Sequence, residues 1–586
     1  MDNQRNLIFA VVLCGIMILG YDAAISYFYP APPETEQVER ASTPEQRAAQ
    51  EVAEERGVAP SVAQQAVDLD EALASGNRVR IDAPRVEGSI NLVGARVDDI
   101  ELKDHRATVD EDSGPVQLFA PAGTPIQNFA QFGFVGDGTQ LPDARTVWQA
   151  SGDTLSPGSP VDLRWDNDQG QRFRIRLTID DNYMISAEQT VANYGDGPVV
   201  VSPFATITRT SLTASPSTWI SHSGPIGTFG GTVDYGPDYD DLVEDGPSSG
   251  EGQAAWLGFT DVYWLGALIP QSGAALDTGF RSLGNDLFRA DMIYDPVTLR
   301  PGRQISRTSQ LFAGAKESEV LDAYQDAGIA QFGLAIDWGW FRWFEKPILW
   351  LLRTLFDAVG NFGVAIILLT CIVRGLMFPI AQRGFASMAS MKAIQPDMKK
   401  LQEKYKDDKV KQQQEMQKLF KDKGVNPVAG CLPMLLQIPV FFALYKVLIL
   451  AIEMRHQPFA LWIEDLSAPD PAHILNLFGM LPYEVPGFLA IGPLAILLGF
   501  TMWLTFRLNP SAMDPIQQQV FQIMPWVLMF IMAPFAAGLL LYWNTSNILT
   551  LAQQKYLYSK HPQLKASIEK EKAEKEKKPA AEKSKA

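Results

Sequence analysis

Cysteine is nearly missing from this 586-residue chain. The three that occur, Cys14, Cys371 and Cys431, lie in or beside apolar runs. The polar stretch between residues 30 and 335 has none, so it cannot hold an internal disulfide and must be stable from its core alone. Lysine is just as scarce there, with only Lys103 and Lys316. That excludes a broad basic face for nucleic acid, and no DNA partner is expected. Between residues 78 and 330 the only histidines are His105 and His222. No H-E-x-x-H, G-x-S-x-G, Walker loop or metal-spaced cluster occurs in that region. Paired acids such as Asp180-Asp181 and Asp240-Asp241 read as solvated loop charges. Neither a cofactor, a metal nor catalysis is expected.

What is present falls into two populations. The net charge of −17 is concentrated as acid in the first half, while residues 390–425 and 555–586 are dense in lysine. Residues 1–28 hold an apolar run of about the ~20 residues that cross a bilayer. We read an uncleaved transmembrane signal anchor; the competing reading is a cleaved signal peptide ending near Asp22-Ala-Ala. Further spans are expected at 361–380, 428–452, 488–506, 517–533 and 538–556. The last two come from one long apolar run, split at Ala533-Pro-Phe-Ala-Ala-Gly538, where Pro and Gly suit a tight turn.

Loop charge orients these spans. Segment 381–425 carries eleven Lys/Arg against six acids, and 555–586 carries ten lysines against five acids. Segment 453–487 has one arginine and five acids. The positive-inside rule puts the basic segments in the cytoplasm and the acidic loop outside. Six spans, an even number, return both termini to the cytoplasm. The sequence thus describes a multi-pass bacterial inner-membrane protein with a large periplasmic domain. A helical hairpin at 381–427, a periplasmic loop at 453–487, a short cytoplasmic loop at 507–516 and a basic cytoplasmic tail at 557–586 complete it.

Residues 29–78 are rich in Pro, Ala, Glu and Gln and form a flexible tether. From 79 to 335 the pattern is β. Phe173, Ile175, Leu177 and Ile179 alternate with Arg172, Arg174, Arg176 and Thr178, the period of an antiparallel sandwich. Segment 336–360 mixes Trp338, Trp340, Trp343 and Trp350 with charges. It reads as a periplasmic amphipathic helix on the bilayer surface, or else as a helix packed on the soluble domain.

One residue stands out chemically. Arg374 lies in the cytoplasmic half of the second span, where a buried arginine costs roughly 2.5–3.5 kcal/mol. It either faces a hydrated recess or snorkels to headgroups, with Pro379 ending the span soon after. Thr370 shares its helical face. Gln437, between Pro433 and Pro439, and the polar set Tyr542, Trp543, Asn544, Ser546 and Asn547 in the sixth span add hydrogen-bonding groups. No acidic residue in spans two to six is an evident partner for Arg374. Together these groups indicate a wet, electropositive groove within the membrane.

The stretch Ile372-Val-Arg-Gly-Leu-Met-Phe-Pro379 is followed by Ser387-Met-Ala, Ile394-Gln-Pro396, Val425-Asn-Pro427, Gly430-Cys-Leu-Pro433 and Gln437-Ile-Pro439. Phe459-Ala-Leu-Trp462, Asp465-Leu-Ser467, Asp514-Pro515 and Leu541-Tyr-Trp543 continue the series. In this order the motifs resemble the bacterial YidC/Oxa/Alb family of membrane protein insertases, in its Gram-negative branch. The resemblance implies an α-helical polytopic membrane protein of six transmembrane helices, five forming the core around a hydrophilic groove. It implies a periplasmic all-β domain of β-supersandwich type. Arg374, with Thr370, Gln437, Tyr542 and Trp543, would line the groove that receives a nascent membrane protein. Partners implied are nascent membrane proteins, the Sec translocon, the ribosome and the lipid bilayer. Two rival classes remain at this point: a membrane transporter or channel, which predicts inverted repeats and ionisable residues on several spans, and a membrane-anchored periplasmic carbohydrate-active protein.

Overall fold

The computed structural model describes residues 67–560 apart from 111, 216–220, 407, 425–431, 478–480, 482–489 and 509–514. The signal anchor, most of the tether and nearly all of the basic tail lie outside these residues.

Residues 78–315 form two packed sheets. The order in the first is Leu276–Gly284, Leu287–Tyr294, Val199–Thr210, Asn128–Asp137, Arg96–Arg106, Val86–Asn91, Arg78–Asp82 and Thr154–Leu155. In the second it is Thr232–Asp234, Gly224–Phe229, Ala254–Thr260, Trp264–Ile269, Arg303–Ala315, Met184–Asn193, Gln171–Ile179, Val161–Asp166 and Gln149–Ala150. All pairings are antiparallel except Arg78–Asp82 with Thr154–Leu155. Alternation does what the sequence expects: Phe173, Ile175 and Leu177 face inward, opposite Val191, Gln189 and Ala187. The turn before Met184 is an Asx turn, in which Asp180 Oδ1 accepts from the Asn182 and Met184 amides at 2.9 and 3.0 Å. Phe134 of the first sheet meets Phe173 of the second at 5.2 Å between ring centres, so one apolar layer is shared.

Ten α-helices are described: α1 (Leu69–Ala74), α2 (Tyr239–Glu244), α3 (Ser318–Asp326), α4 (Arg342–Val359), α5 (Phe362–Lys404), α6 (Lys409–Asp422), α7 (Leu432–Leu450), α8 (Pro493–Leu508), α9 (Pro515–Met532) and α10 (Ala537–Lys560). Helix α4 ends at Gly360, whose φ of +69° suits glycine. The next residue, Asn361, caps α5 by accepting from the Val364 amide at 3.0 Å. Within α5, Phe362–Gly384 is the one described stretch long and apolar enough to cross a membrane, with a mean hydropathy of 2.3. Shorter apolar helices occur at Leu435–Leu450, Pro493–Arg507 and Gln522–Met532.

Three sequence expectations change here. Pro379 does not end its helix: α5 runs unbroken through Pro379 and Pro396 for 43 residues. Proline removes one backbone donor, and in a membrane helix neighbouring groups absorb that loss. Trp338 does not sit at an interface; it is fully buried at the junction between the sandwich and the helices. Trp343 and Trp350, seven residues and two turns apart, are 69% and 67% exposed. Finally, α4 is not held by the sandwich alone: it packs against α5 and α7 and pairs with α3, which follows the sandwich, through Lys346–Asp322 at 2.7 Å.

That junction is electrostatically one-sided. The cations come from the helical part and its acceptors from the sandwich and the segment leading out of it. Arg353 meets Glu319 at 2.9 Å, Lys446 donates to the Asp337 carbonyl at 2.7 Å, and Arg455 donates to the Arg106 and Ala107 carbonyls at 2.8 and 3.0 Å. The Arg455 guanidinium also lies over Trp264, 5.2 Å from its centre.

Candidate functional site

Helix α10 organises the polar groups of the helical core. At 3.6 residues per turn, Tyr542, Ser546 and Gln553 fall within about 40° of one another around its axis, and Asn544 and Asn547 fall on the far side. The first set faces α5 and α7. Ser546 Oγ accepts from Arg374 Nε at 3.0 Å and also from the other arm of the same guanidinium. Gln553 Nε2 reaches the Arg374 carbonyl at 3.5 Å. Tyr542, one turn before Ser546, accepts from Gln437 Nε2 of α7. The second set faces α8, where Asn544 Nδ2 donates to the Leu494 carbonyl at 3.0 Å and Asn547 Nδ2 to Thr501 Oγ1 at 3.1 Å. Those three polar side chains are buried and mutually satisfied. They make a dry seam that holds two helices together.

The first set is different in kind. Arg374 is half-buried, and among the described residues its side chain has no carboxylate partner, only the Ser546 hydroxyl. Gln437 is half-buried, and its Oε1 has no hydrogen-bond partner among the described residues. A guanidinium has five donors, and a serine hydroxyl answers few of them. This side of α10 therefore retains a positive charge and spare hydrogen-bonding capacity.

Of the residues singled out in the sequence, Arg374, Gln437 and Tyr542 are brought onto adjoining faces of α5, α7 and α10. Thr370 is buried, and its hydroxyl turns back on its own helix to donate to the Ile366 carbonyl at 2.6 Å. Trp543 packs edge-on against Phe441 of α7 at 5.1 Å. Ser546, named in the sequence only as one of several polar groups, is the direct partner of Arg374. Lys446, in an otherwise apolar run, passed unnoticed and proves to anchor Asp337. Its charge inside that run was the signal available.

Outward from this set the helices present apolar side chains. Leu376, Leu435, Ile438, Phe500, Ile523 and Phe530 are all exposed, as a lipid-facing surface requires.

Two family models cover the chain: the YidC periplasmic domain matches residues 78–351, and the 60Kd inner membrane protein matches residues 354–565. A membrane protein insertase YidC from Zymomonas mobilis subsp. mobilis is 43% identical over 563 residues, covering 95% of this chain and 96% of the relative. Its counterpart from Bradyrhizobium diazoefficiens is 40% identical over 598 residues, covering 95% and 96%. The solved structure of an active YidC insertase with its first transmembrane domain resolved aligns over 82% of this chain and 92% of that one, at 18% identity and a TM-score of 0.36.

Proposed function

The chain belongs to the YidC family of membrane protein insertases, and from that premise we propose how its own residues carry out insertion. It is an insertase and not an enzyme, so the mechanism is physical. The reading takes α5, α7, α8, α9 and α10 as the five core spans, with residues 1–28 as a sixth. Both termini lie in the cytoplasm and the sandwich in the periplasm.

The observation that carries the reading is the partial burial of Arg374 against a neutral partner. A buried charge is normally paired; this one is left able to accept an anion. A nascent membrane protein brings a polar, often acidic, segment that must cross hydrocarbon. Arg374 draws that segment in, and Gln437, Tyr542 and Ser546 supply hydrogen bonds in place of water. Thr370 supports the helix from within, and Trp543 holds α10 against α7. The apolar part of the substrate then moves into lipid, gaining roughly 25 cal/mol for each Å² buried. The ribosome delivers such substrates, with the basic tail and cytoplasmic hairpin as its contacts, and the Sec translocon shares the longer ones.

The test is complementation of a strain depleted of its own insertase. Arg374→Lys keeps the charge and retains much of the insertion. Arg374→Glu repels acidic segments and blocks them. Equal insertion by wild type, Lys and Glu variants overturns the reading.

A further inference from the structure

The segment 457–466 of the loop joining α7 to α8 is closely hydrogen-bonded, yet Leu461 in it is the most exposed of the large apolar side chains that the described residues of this loop leave outside. Its backbone is tied at both flanks. The Phe459 amide donates to the Ile463 carbonyl at 3.0 Å, and the Ile463 amide to the Ala460 carbonyl at 3.2 Å. The Leu466 amide donates to the Gln457 carbonyl at 2.9 Å, and the Gly538 amide to the Leu466 carbonyl at 2.9 Å. Ile463 and Leu466 are buried. Between these ties Leu461 adopts φ +59°, a left-handed conformation that a branched apolar residue rarely takes, and it is 90% exposed. Beside it the Trp462 ring is partly exposed while its Nε1 donates to Asp470 Oδ1 at 2.9 Å. Asp470 itself accepts from the Leu494 amide in the first turn of α8 at 3.0 Å.

The height of this loop is fixed by α5. Asn361, the cap of that helix, donates through Nδ2 to the Phe459 carbonyl at 3.0 Å. The Phe459 ring lies against Gly363, where a Cβ would come within 2.0 Å of it. The one long apolar stretch begins at Phe362. Leu461 follows Phe459 by two residues, so its Cα lies within about 7 Å of that of Phe459, the residue that touches the outer end of that stretch.

We propose that Leu461 and Trp462 form an anchor that inserts into the outer leaflet of the bilayer. A satisfied indole beside a projecting leucine, at the level where a span begins, is the chemistry of the headgroup–acyl boundary. The loop thereby holds the periplasmic ends of α5 and α8 at one depth. The inference rests on the reading that α8 crosses the membrane.

The experiment uses the full chain in phospholipid vesicles, with Cys14, Cys371 and Cys431 replaced by serine. Single cysteines at Leu461→Cys, Phe500→Cys and Val243→Cys carry a nitroxide. Phe500 is exposed on α8 and Val243 is exposed on the soluble domain. Accessibility to oxygen, which partitions into lipid, is compared with accessibility to a water-soluble nickel chelate. The expected oxygen-to-nickel ratio at position 461 is several-fold above that at 243 and close to that at 500. A water-like ratio at 461 with a lipid-like one at 500 overturns the anchor and leaves the span standing. A label at 461 shielded from both reagents also overturns it, pointing to a protein partner. A water-like ratio at 500 overturns the span and the anchor together.

Discussion

The two halves of this molecule bury arginine in opposite ways. In the sandwich, Arg209 is buried and paired with Asp261, which in turn accepts from the Ser215 amide at 2.8 Å and from Ser223 Oγ at 2.7 Å. Lys316 lies buried close by, donating to Thr260 Oγ1 at 2.9 Å. Burial pushes its ammonium down to about 8, against the pull of Asp261 and Asp337. Among the helices, Arg374 meets a serine. The first arrangement is closed, since Arg209 touches its counter-charge and Lys316 lies in the field of Asp261 and Asp337. The second is open, and on the reading proposed above the substrate completes it. The two arginines differ in charge satisfaction more than in burial.

The strongest way to break the contrast is to close the open site. Ser546→Asp places a carboxylate beside Arg374, and insertion in a depleted strain should fall to background while the protein still reaches the membrane. Ser546→Thr keeps the hydroxyl and should insert normally; if Ser546→Asp does too, an unpaired Arg374 is not the working group. Opening the closed site gives the next largest effect. Asp261→Ala strands Arg209 without its anion and should cost roughly 3–5 kcal/mol. The thermal midpoint of the sandwich should drop, with no change specific to acidic substrates.

A smaller effect concerns the junction. Glu345 of α4 is buried, and one of its oxygens lacks a hydrogen-bond partner among the described residues. Burial holds its pKa up to about 7, against the attraction of Lys446 and with the repulsion of Asp337. The folded protein therefore binds this proton more tightly than the unfolded chain does. The stability it contributes is full below the ordinary value of 4.5 and is lost as pH rises toward 7. Hydrogen exchange in α4 should quicken between pH 5 and pH 8 by the equivalent of roughly 1–3 kcal/mol, and Glu345→Gln should flatten that change. The smallest effect is expected from Gln437→Leu. It removes the bond to Tyr542 and also an acceptor that already lacks a partner, so the net cost is about 1 kcal/mol or less. A shift in the urea midpoint well beyond that would make Gln437 a structural strut, like Asp261.

Much of this contrast is legible in the sequence. The period of two around Phe173–Ile179 announces the sandwich, and a lone arginine before Gly375 in an apolar run announces the site. Pro379 misleads, because a local rule about helix interiors gives way to neighbouring helices. The burial of Trp338 is invisible for another reason: composition cannot tell an indole seeking the interface from one seeking a core. The dependence of Arg374 on Ser546 needs a contact 172 residues apart in the chain, which no local pattern encodes.

The unbroken course of α5 has a mechanical consequence. From Pro379 to Lys404 the axis extends about 38 Å, and from Pro379 back to Arg374 about 8 Å. With the proline as fulcrum, the C-terminal end is a lever arm about five times the length of the other. A displacement of the helix end by about 5 Å would thus move the axis at Arg374 by about 1 Å, enough to lengthen a hydrogen bond of 3.0 Å to Ser546 past its useful range. A load on the far end of α5 and release of the arginine would then be one stroke.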